Sequence, residues 1–134
     1  MADYEVRPIY WYTKEDTWAK VQADGTVLVG ITDYAQKMLG SLSFVELPET
    51  GSPIEQMQTI ATVESTKAAS EVYSPVSGTV REVNDDVSTD PEMVNNDPYD
   101  GGWLVVIEPD NLDMELKNLL DAEAYKVLLT EKSE

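Results

Sequence analysis

Short β-favouring runs separated by turn residues fill the first two-thirds of the chain and constrain its fold more than any other feature. Trp18–Val21 alternates apolar and polar residues, Asp24-Gly25 is a strong hairpin signal, and Thr26–Val29 has the composition of the returning strand. A second strand–turn–strand unit near 59–74 has Lys67 at its tip. These units predict antiparallel hairpins that form two facing sheets.

Helical signals occur at two places in the chain. Thr32 is a predicted N-cap, Asp33 follows it in the first turn, and Gly40 is a suitable stop for a short helix. Leucines recur at helical spacing in the C-terminal part, where Asp121 is a predicted cap, so we expect a helical tail near 111–130. The predicted class is therefore α+β, but mainly β.

The region between these signals contains one loop and one strand. Asn84 to Gly102 is dense in Asp, Asn, Pro and Gly, which predicts a long loop with one helical turn near Pro91 to Val94. Trp103–Ile107 is continuously apolar, which predicts a strand buried on both faces. The length of 134 residues and the hydrophobic fraction of 42% fit one domain over residues 1–134.

Composition excludes several functional classes. The chain has no Cys and no His, so disulfides, thiolate nucleophiles and ordinary zinc sites are absent, and any thiol chemistry must come from a bound group. A net charge of −17 disfavours nucleic acid and anionic membranes as partners and favours proteins with basic faces. No apolar run approaches the roughly 18 residues of a membrane span. Met1–Arg7 has no leader pattern, which predicts a cytoplasmic protein or a mature form.

Lys67 is the residue with the most distinctive surroundings. Ser, Thr and Ala flank it, so the predicted tip is sterically open, as an enzyme that modifies a lysine requires. The turn lacks Gly, Asn and Pro, which predicts a plain type I turn. Spacing alone does not separate Lys67 from the other lysines, most of which are expected simply to be solvated.

Four segments, in order along the chain, resemble the signatures of the glycine cleavage H protein family. They are Gly30–Gln36 followed by Phe44–Pro48, Glu64–Ser70 followed by Tyr73–Gly78, Asn96–Tyr99 followed by Gly102-Trp103, and Leu119–Tyr125. The resemblance implies a barrel-sandwich hybrid of the lipoyl/biotinyl type, with lipoate attached covalently to Lys67. Cofactor and partner enzymes would then supply the chemistry that a chain without Cys and His lacks.

The resemblance also implies a function and partners. A non-catalytic lipoyl shuttle would take an aminomethyl group from the pyridoxal-phosphate glycine decarboxylase (P protein) to the tetrahydrofolate-dependent aminomethyltransferase (T protein). Dihydrolipoyl dehydrogenase (L protein) would reoxidise it, and a separate enzyme would attach the lipoate. We expect a monomer, because a shuttle must present one face to several partners.

Three further residues are candidates by resemblance. Glu64 is a candidate for recognition by the modifying enzyme. Tyr34 is a candidate for a groove that shelters the loaded arm, although a place on the core face of the helix is favoured. Asp16-Thr17 stands where many family members have His-Glu, whose Glu is associated with holding the arm. Asp16 is the candidate substitute.

Other functions remain as alternatives. A biotin carrier typically has methionines beside its lysine, and the lipoyl domains of 2-oxo acid dehydrogenases typically show Asp-Lys-Ala within longer chains. Neither pattern fits Thr66-Lys67-Ala68. An H-like lipoate-relay or regulatory scaffold stays open because of Asp16-Thr17. A glycosidase-like enzyme is disfavoured, because no spacing forces two of its carboxylates into one cleft.

Overall fold

The computed structural model describes residues 4–132, so Met1 to Asp3 of the N-terminal segment lie outside the described residues. Short strands dominate this part of the chain, and helices follow or connect them. The strands are β1 (Trp11–Tyr12), β2 (Thr17–Val21), β3 (Val27–Ile31), β4 (Leu42–Glu46), β5 (Pro53–Ile54), β6 (Thr59–Ser65), β7 (Ala69–Tyr73), β8 (Gly78–Val83) and β9 (Val105–Pro109). The helices are α1 (Asp33–Leu39), α2 (Asp85–Thr89), α3 (Glu92–Asn96), α4 (Leu112–Leu116) and α5 (Ala122–Lys132).

Two antiparallel sheets contain these strands. The larger has the order β1-β2-β3-β9-β8-β5, and the smaller has the order β4-β6-β7. The hairpin around Gly25 belongs to the first sheet and the hairpin around Lys67 to the second, as the sequence predicted. This sheet-dominated architecture with short helices confirms the predicted fold class. None of the helices within residues 4–132 has the length and apolar character needed to cross a bilayer.

An aliphatic core joins the two sheets. Val29 and Ile107 of the larger sheet belong to the same buried cluster as Val63 and Val72 of the smaller one. The strand predicted over Trp103–Ile107 begins at Val105, after the half-buried Trp103, and its residues Val105, Val106 and Ile107 are all buried, which confirms burial on both faces for that part. Packing between the sheets therefore fixes the base of the β6–β7 hairpin.

An aromatic cluster fastens the C-terminal helix to the larger sheet. The rings of Tyr12 and Tyr125 stack with their centroids 4.4 Å apart, and both side chains are fully buried. Trp18 is also fully buried, and its Nε1 donates a hydrogen bond of 3.0 Å to the carbonyl of Pro98. The interpretation of Trp18 as a core residue is thus confirmed. Burial raises the pKa of the Tyr12 hydroxyl to about 12.

Helix α1 begins and ends where the sequence predicted. Thr32 is the N-cap, and its Oγ1 accepts a hydrogen bond of 3.2 Å from the amide of Ala35. Gly40 terminates the helix with φ of +80°, a conformation that L side chains rarely adopt. This helix end lies beside the Lys67 hairpin, so its exact position matters for the site.

The prediction for Asn84 to Gly102 was wrong at α2, which lies in the expected loop, but the helical turn predicted near Pro91 to Val94 is confirmed by α3. Asn84 caps α2 by accepting a hydrogen bond of 3.2 Å from the amide of Asp86, and its Nδ2 donates to the carbonyl of Trp103 at 2.7 Å. The Asn and Asp residues that indicated a loop are here a helix cap and an acidic first turn.

The helical tail near 111–130 is two helices separated by a bridge. Helix α4 ends at Leu116, and Leu120 then pairs with Tyr12 through two backbone hydrogen bonds of 2.8 Å each. Asp121 caps α5 as predicted, with its Oδ1 accepting from the amide of Ala124 at 2.9 Å. Leu120 lies in the bridge between the two helices and packs against the aromatic cluster. Its place in the leucine pattern therefore reflects burial against this cluster and not one continuous helix.

Asp33 fastens the N-terminal segment to α1. Its Oδ2 accepts from the amide of Glu5 at 2.9 Å and lies 3.1 Å from Nζ of Lys37, while its Oδ1 accepts from Nε2 of Gln36 at 2.8 Å. Burial by itself would raise the pKa of this carboxyl, but these donors together lower it below its ordinary value. The carboxylate form therefore stabilises the fold.

Replacing Asp33 with Asn is expected to lower stability at neutral pH and to make stability less dependent on pH in the acid range. Because the folded state lowers the pKa, the carboxylate stabilises the fold above the unfolded pKa of about 3.9, and this stabilisation is lost as the pH falls through the folded pKa. Urea unfolding should show Asp33→Asn about 1–2 kcal/mol less stable at pH 7 and closer to wild type at pH 3. Asp113→Asn, at an exposed position, is the matched control. A deficit that is equal at both pH values would contradict this account.

Candidate functional site

Ser65 fixes the tip of the β6–β7 hairpin. Its amide donates to the carbonyl of Ala68 at 2.8 Å, and its Oγ accepts from the amides of Lys67 at 3.3 Å and Ala68 at 3.2 Å. Thr66 and Lys67 form the two-residue turn, and neither has a positive φ, so the turn is not of the primed types. The lysine backbone is thus held by its own hairpin.

The Lys67 side chain is exposed and lies beside the end of α1. A methyl group added at Gly40 would lie 3.3 Å from Cε of Lys67 and 3.8 Å from its Nζ. Glycine at this position therefore leaves room for the lysine stem. Within residues 4–132, no carboxylate is within ion-pairing distance of the amine. An open, accessible primary amine on a fixed turn fits covalent attachment of an acyl group.

Glu64 lies one residue before the turn region and is exposed. It stands opposite Phe44 of β4 on one side and opposite Ala69 of β7 on the other. Glu64 is therefore exposed on the strand that leads to Lys67.

Tyr34 lies in the first turn of α1, whereas Gly40 and Lys67 lie at the other end of this helix. Its ring makes an edge-on contact with Tyr4 at 4.9 Å between centroids, and Nζ of Lys132 lies 5.4 Å from its centroid. The side chain is partly buried against the aromatic cluster. The structure therefore does not bring Tyr34 and Lys67 together.

The carboxylate of Asp16 already binds two side chains of the C-terminal helix. Its carboxylate accepts from Nζ of Lys132 at 2.9 and 3.0 Å, and its Oδ1 also accepts from the hydroxyl of Tyr125 at 2.9 Å. Burial and, after it, the nearby carboxylate raise the pKa of Tyr125. An ammonium group of this chain thus already neutralises the carboxylate that was a candidate for holding the arm.

Thr17 is fully buried, and its Oγ1 has no hydrogen-bond partner among the described residues. A buried hydroxyl without a partner costs stability, so the nearly isosteric Thr17→Val is expected to stabilise the protein by about 1 kcal/mol. Urea unfolding measures the change. Thr13→Val is the matched control, because Oγ1 of Thr13 accepts from the amide of Thr17 at 3.2 Å and its loss should destabilise. Destabilisation by Thr17→Val would show that the hydroxyl has a partner in solution.

Two residues beside Lys67 escaped the sequence prediction. Ser65, two residues before the lysine, matches a local pattern in which a serine hydroxyl binds backbone amides, so this signal was available. Gly40 was predicted only as a helix stop, because its contact with Lys67 spans elements that are separated by 27 residues along the chain. Only the tertiary fold reveals that second role.

A two-sheet β domain that presents one accessible lysine on a hairpin tip defines the barrel-sandwich carrier domains of the lipoyl and biotinyl type. The family model described as glycine cleavage H-protein matches residues 10–132. The chain therefore belongs to the glycine cleavage H-protein family.

Individual relatives agree with this assignment. The chain is 54% identical over 129 residues to a probable glycine cleavage system H protein of Pyrococcus abyssi, covering 96% of each chain. It is 49% identical over 121 residues to the glycine cleavage system H protein of Escherichia coli O7:K1, covering 90% of this chain and 93% of the relative. The crystal structure of a glycine cleavage system H protein from Mycobacterium marinum matches with a TM-score of 0.81 at 34% identity, covering 91% and 97% of the two chains.

Proposed function

We propose that this chain is the lipoyl-bearing shuttle of the glycine cleavage system, with lipoate attached to Nζ of Lys67. Its role is to carry the aminomethyl group from the pyridoxal-phosphate glycine decarboxylase to the tetrahydrofolate-dependent aminomethyltransferase. Dihydrolipoyl dehydrogenase then reoxidises the carrier. The observation that supports the proposal is the exposed Lys67 amine on a turn fixed by Ser65, in a chain of this family.

The residues around Lys67 suit a carrier rather than a catalyst. When bound, lipoate supplies the pair of redox-active sulfur atoms that this chain, which has no cysteine, cannot supply itself. Ser65 holds the turn, Gly40 leaves space for the stem, and the amine has no ion pair within residues 4–132. An arm on such a tip raises the local concentration of its reactive end at each partner site.

The net charge and the exposed hairpin indicate which kinds of partner to expect. A net charge of −17 favours enzymes that present basic faces around their active sites. We expect the protein to be a monomer, since each partner must reach the same hairpin. We also expect it to be cytoplasmic. The H-like relay alternative is not favoured, because the relatives are named for glycine cleavage.

Intact mass measurement with peptide mapping tests the attachment. The protein from its native cell, or after incubation with a lipoate-attaching enzyme, ATP and lipoate, should gain the mass of one lipoyl group on the peptide that contains Lys67. Glycine-dependent exchange of bicarbonate with the purified decarboxylase then tests the pathway. A lipoylated protein that fails this exchange would keep the carrier role and overturn the assignment to glycine cleavage.

A further inference from the structure

One face of the three-stranded sheet points to solvent and leads to Lys67. Residues directly opposite in antiparallel strands project to the same face. One exposed row consists of Phe44, Glu64 and Ala69, and the next consists of the exposed Glu46 and Glu71 with the half-buried Thr62 between them. We name these six residues the outer face.

A β-bulge turns Phe44 onto the outer face. Leu42 pairs with Ser65 and Phe44 pairs with Glu64, so Ser43 is the extra residue in β4. Without the bulge, strict alternation from the buried Leu42 would direct Phe44 into the core. Instead, Phe44 is 48% exposed while Val45 is buried. Bulges beside functional sites commonly redirect a side chain in this way.

Three carboxylates share the outer face with the exposed ring. Glu64 stands directly across the sheet from Phe44, Glu46 lies two residues along the same strand, and Glu71 follows in the next row. None of the six outer-face residues is basic. An apolar anchor with an acidic rim complements a protein surface that has an apolar pocket with Arg or Lys at its edge.

The position of the outer face favours one partner. The enzyme that attaches the acyl group must bring an activated carbonyl carbon to Nζ of Lys67 itself, so its contacts have to lie on the surface immediately beside the turn. Later partners meet the far end of the extended arm and can dock elsewhere. Building on the proposed function of Lys67, we propose that the outer face docks the lipoate-attaching enzyme, with Phe44 as the apolar anchor.

The reaction at this interface balances with the activated acyl donor as co-reactant. Nζ of Lys67 attacks the carbonyl carbon of the acyl-adenylate, an amide bond forms, and the bond to the adenylate phosphate breaks. AMP leaves with the bonding electron pair, and the amine releases a proton. The outer face takes no part in these bonds, because its role is to hold the two proteins in register.

Steady-state lipoylation of Phe44→Ala tests the proposal. A lipoate ligase with ATP and lipoate is the probe, and mass spectrometry follows the modified fraction. We expect kcat/KM for the carrier to fall about 30-fold, as for an aromatic hot spot, chiefly through KM. Phe44→Leu should recover much of the loss. Glu46→Gln combined with Glu71→Gln should lower the rate at low salt and weaken its dependence on NaCl.

Matched controls separate docking from folding and from the proposed function. Met114→Ala removes another exposed apolar side chain, which is 62% exposed on α4, and should leave lipoylation unchanged. Thermal unfolding should show that Phe44→Ala is folded. Unchanged kcat/KM for Phe44→Ala, with wild type fully lipoylated, would overturn the docking surface and keep the proposed function. Wild-type protein that stays unmodified would overturn both.

One further measurement identifies the partner. Phe44→Ala protein that has been lipoylated to completion is assayed with glycine decarboxylase in the bicarbonate exchange. Normal exchange by this protein supports a surface used by the attaching enzyme. If Phe44→Ala is lipoylated at the wild-type rate but the fully lipoylated variant is defective in the exchange, the outer face belongs to the decarboxylase and the proposal is overturned.

Discussion

Lys67→Arg protein is expected to remain at its unmodified mass and to support no glycine-dependent exchange above background. Arginine keeps the positive charge and much of the stem, but its guanidinium is always protonated and is not a nucleophile for an acyl donor. The backbone contacts of residue 67 with Ser65 involve only the amide, so the turn should be unaffected. The expected effect is therefore complete loss of function with unchanged thermal stability.

Lys117→Arg is the matched control for this experiment. Lys117 is exposed next to α4, and its replacement should leave both the lipoylated mass and the exchange rate at wild-type values. Peptide mapping should show a single modified peptide in this control. Residual modification of the Lys67→Arg protein at another lysine would contradict the assignment of Lys67 as the attachment site.

The sequence was most informative where local chemistry determines structure. The Asp24-Gly25 turn, the Thr32 cap and the Gly40 stop each depend on one or two residues, and each has a known conformational reason. The hairpin around Lys67 is similarly local. Prediction failed at α2, because caps and loops use the same Asn and Asp residues and only helical pairing distinguishes them.

The surroundings of Lys67 depend on contacts that no local pattern reveals. The approach of Gly40 to the lysine stem and the outward turn of Phe44 both result from how β4 pairs with β6. A bulge of one residue reverses the faces of a strand, and the sequence around Ser43 gives no sign of it. The same is true of Asp16, whose carboxylate binds Lys132 from the other end of the chain.

Trp18→Ala is expected to cause the largest loss of stability of any substitution considered. The side chain is fully buried, and its Nε1 is held by the carbonyl of Pro98. Its ring also contacts Tyr10 and Tyr99, with centroids at 5.3 and 5.9 Å. Removing a buried aromatic side chain costs about 3–5 kcal/mol, a large part of the roughly 5–15 kcal/mol typical of whole domains. Urea unfolding followed by circular dichroism measures this without relying on tryptophan fluorescence.

Gly30 supplies a sharper test of the same packing. It is the direct cross-strand partner of Trp18, and a methyl group there would lie 2.5 Å from Cζ2 of the indole and 2.8 Å from its Nε1. Because the ring is buried and hydrogen-bonded, it cannot move aside, so Gly30→Ala should cost about 1–3 kcal/mol in the wild-type background.

The sign of the Gly30→Ala effect should reverse once the ring is gone. In the Trp18→Ala background the methyl group meets no indole, and the loss of unfolded-state entropy should stabilise the protein by about 0.4–1 kcal/mol. A double-mutant cycle therefore predicts strong coupling between these two positions, as expected for side chains in contact. Additive effects would mean that the indole does not cover Gly30 in solution, and the account of the aromatic cluster would have to be revised.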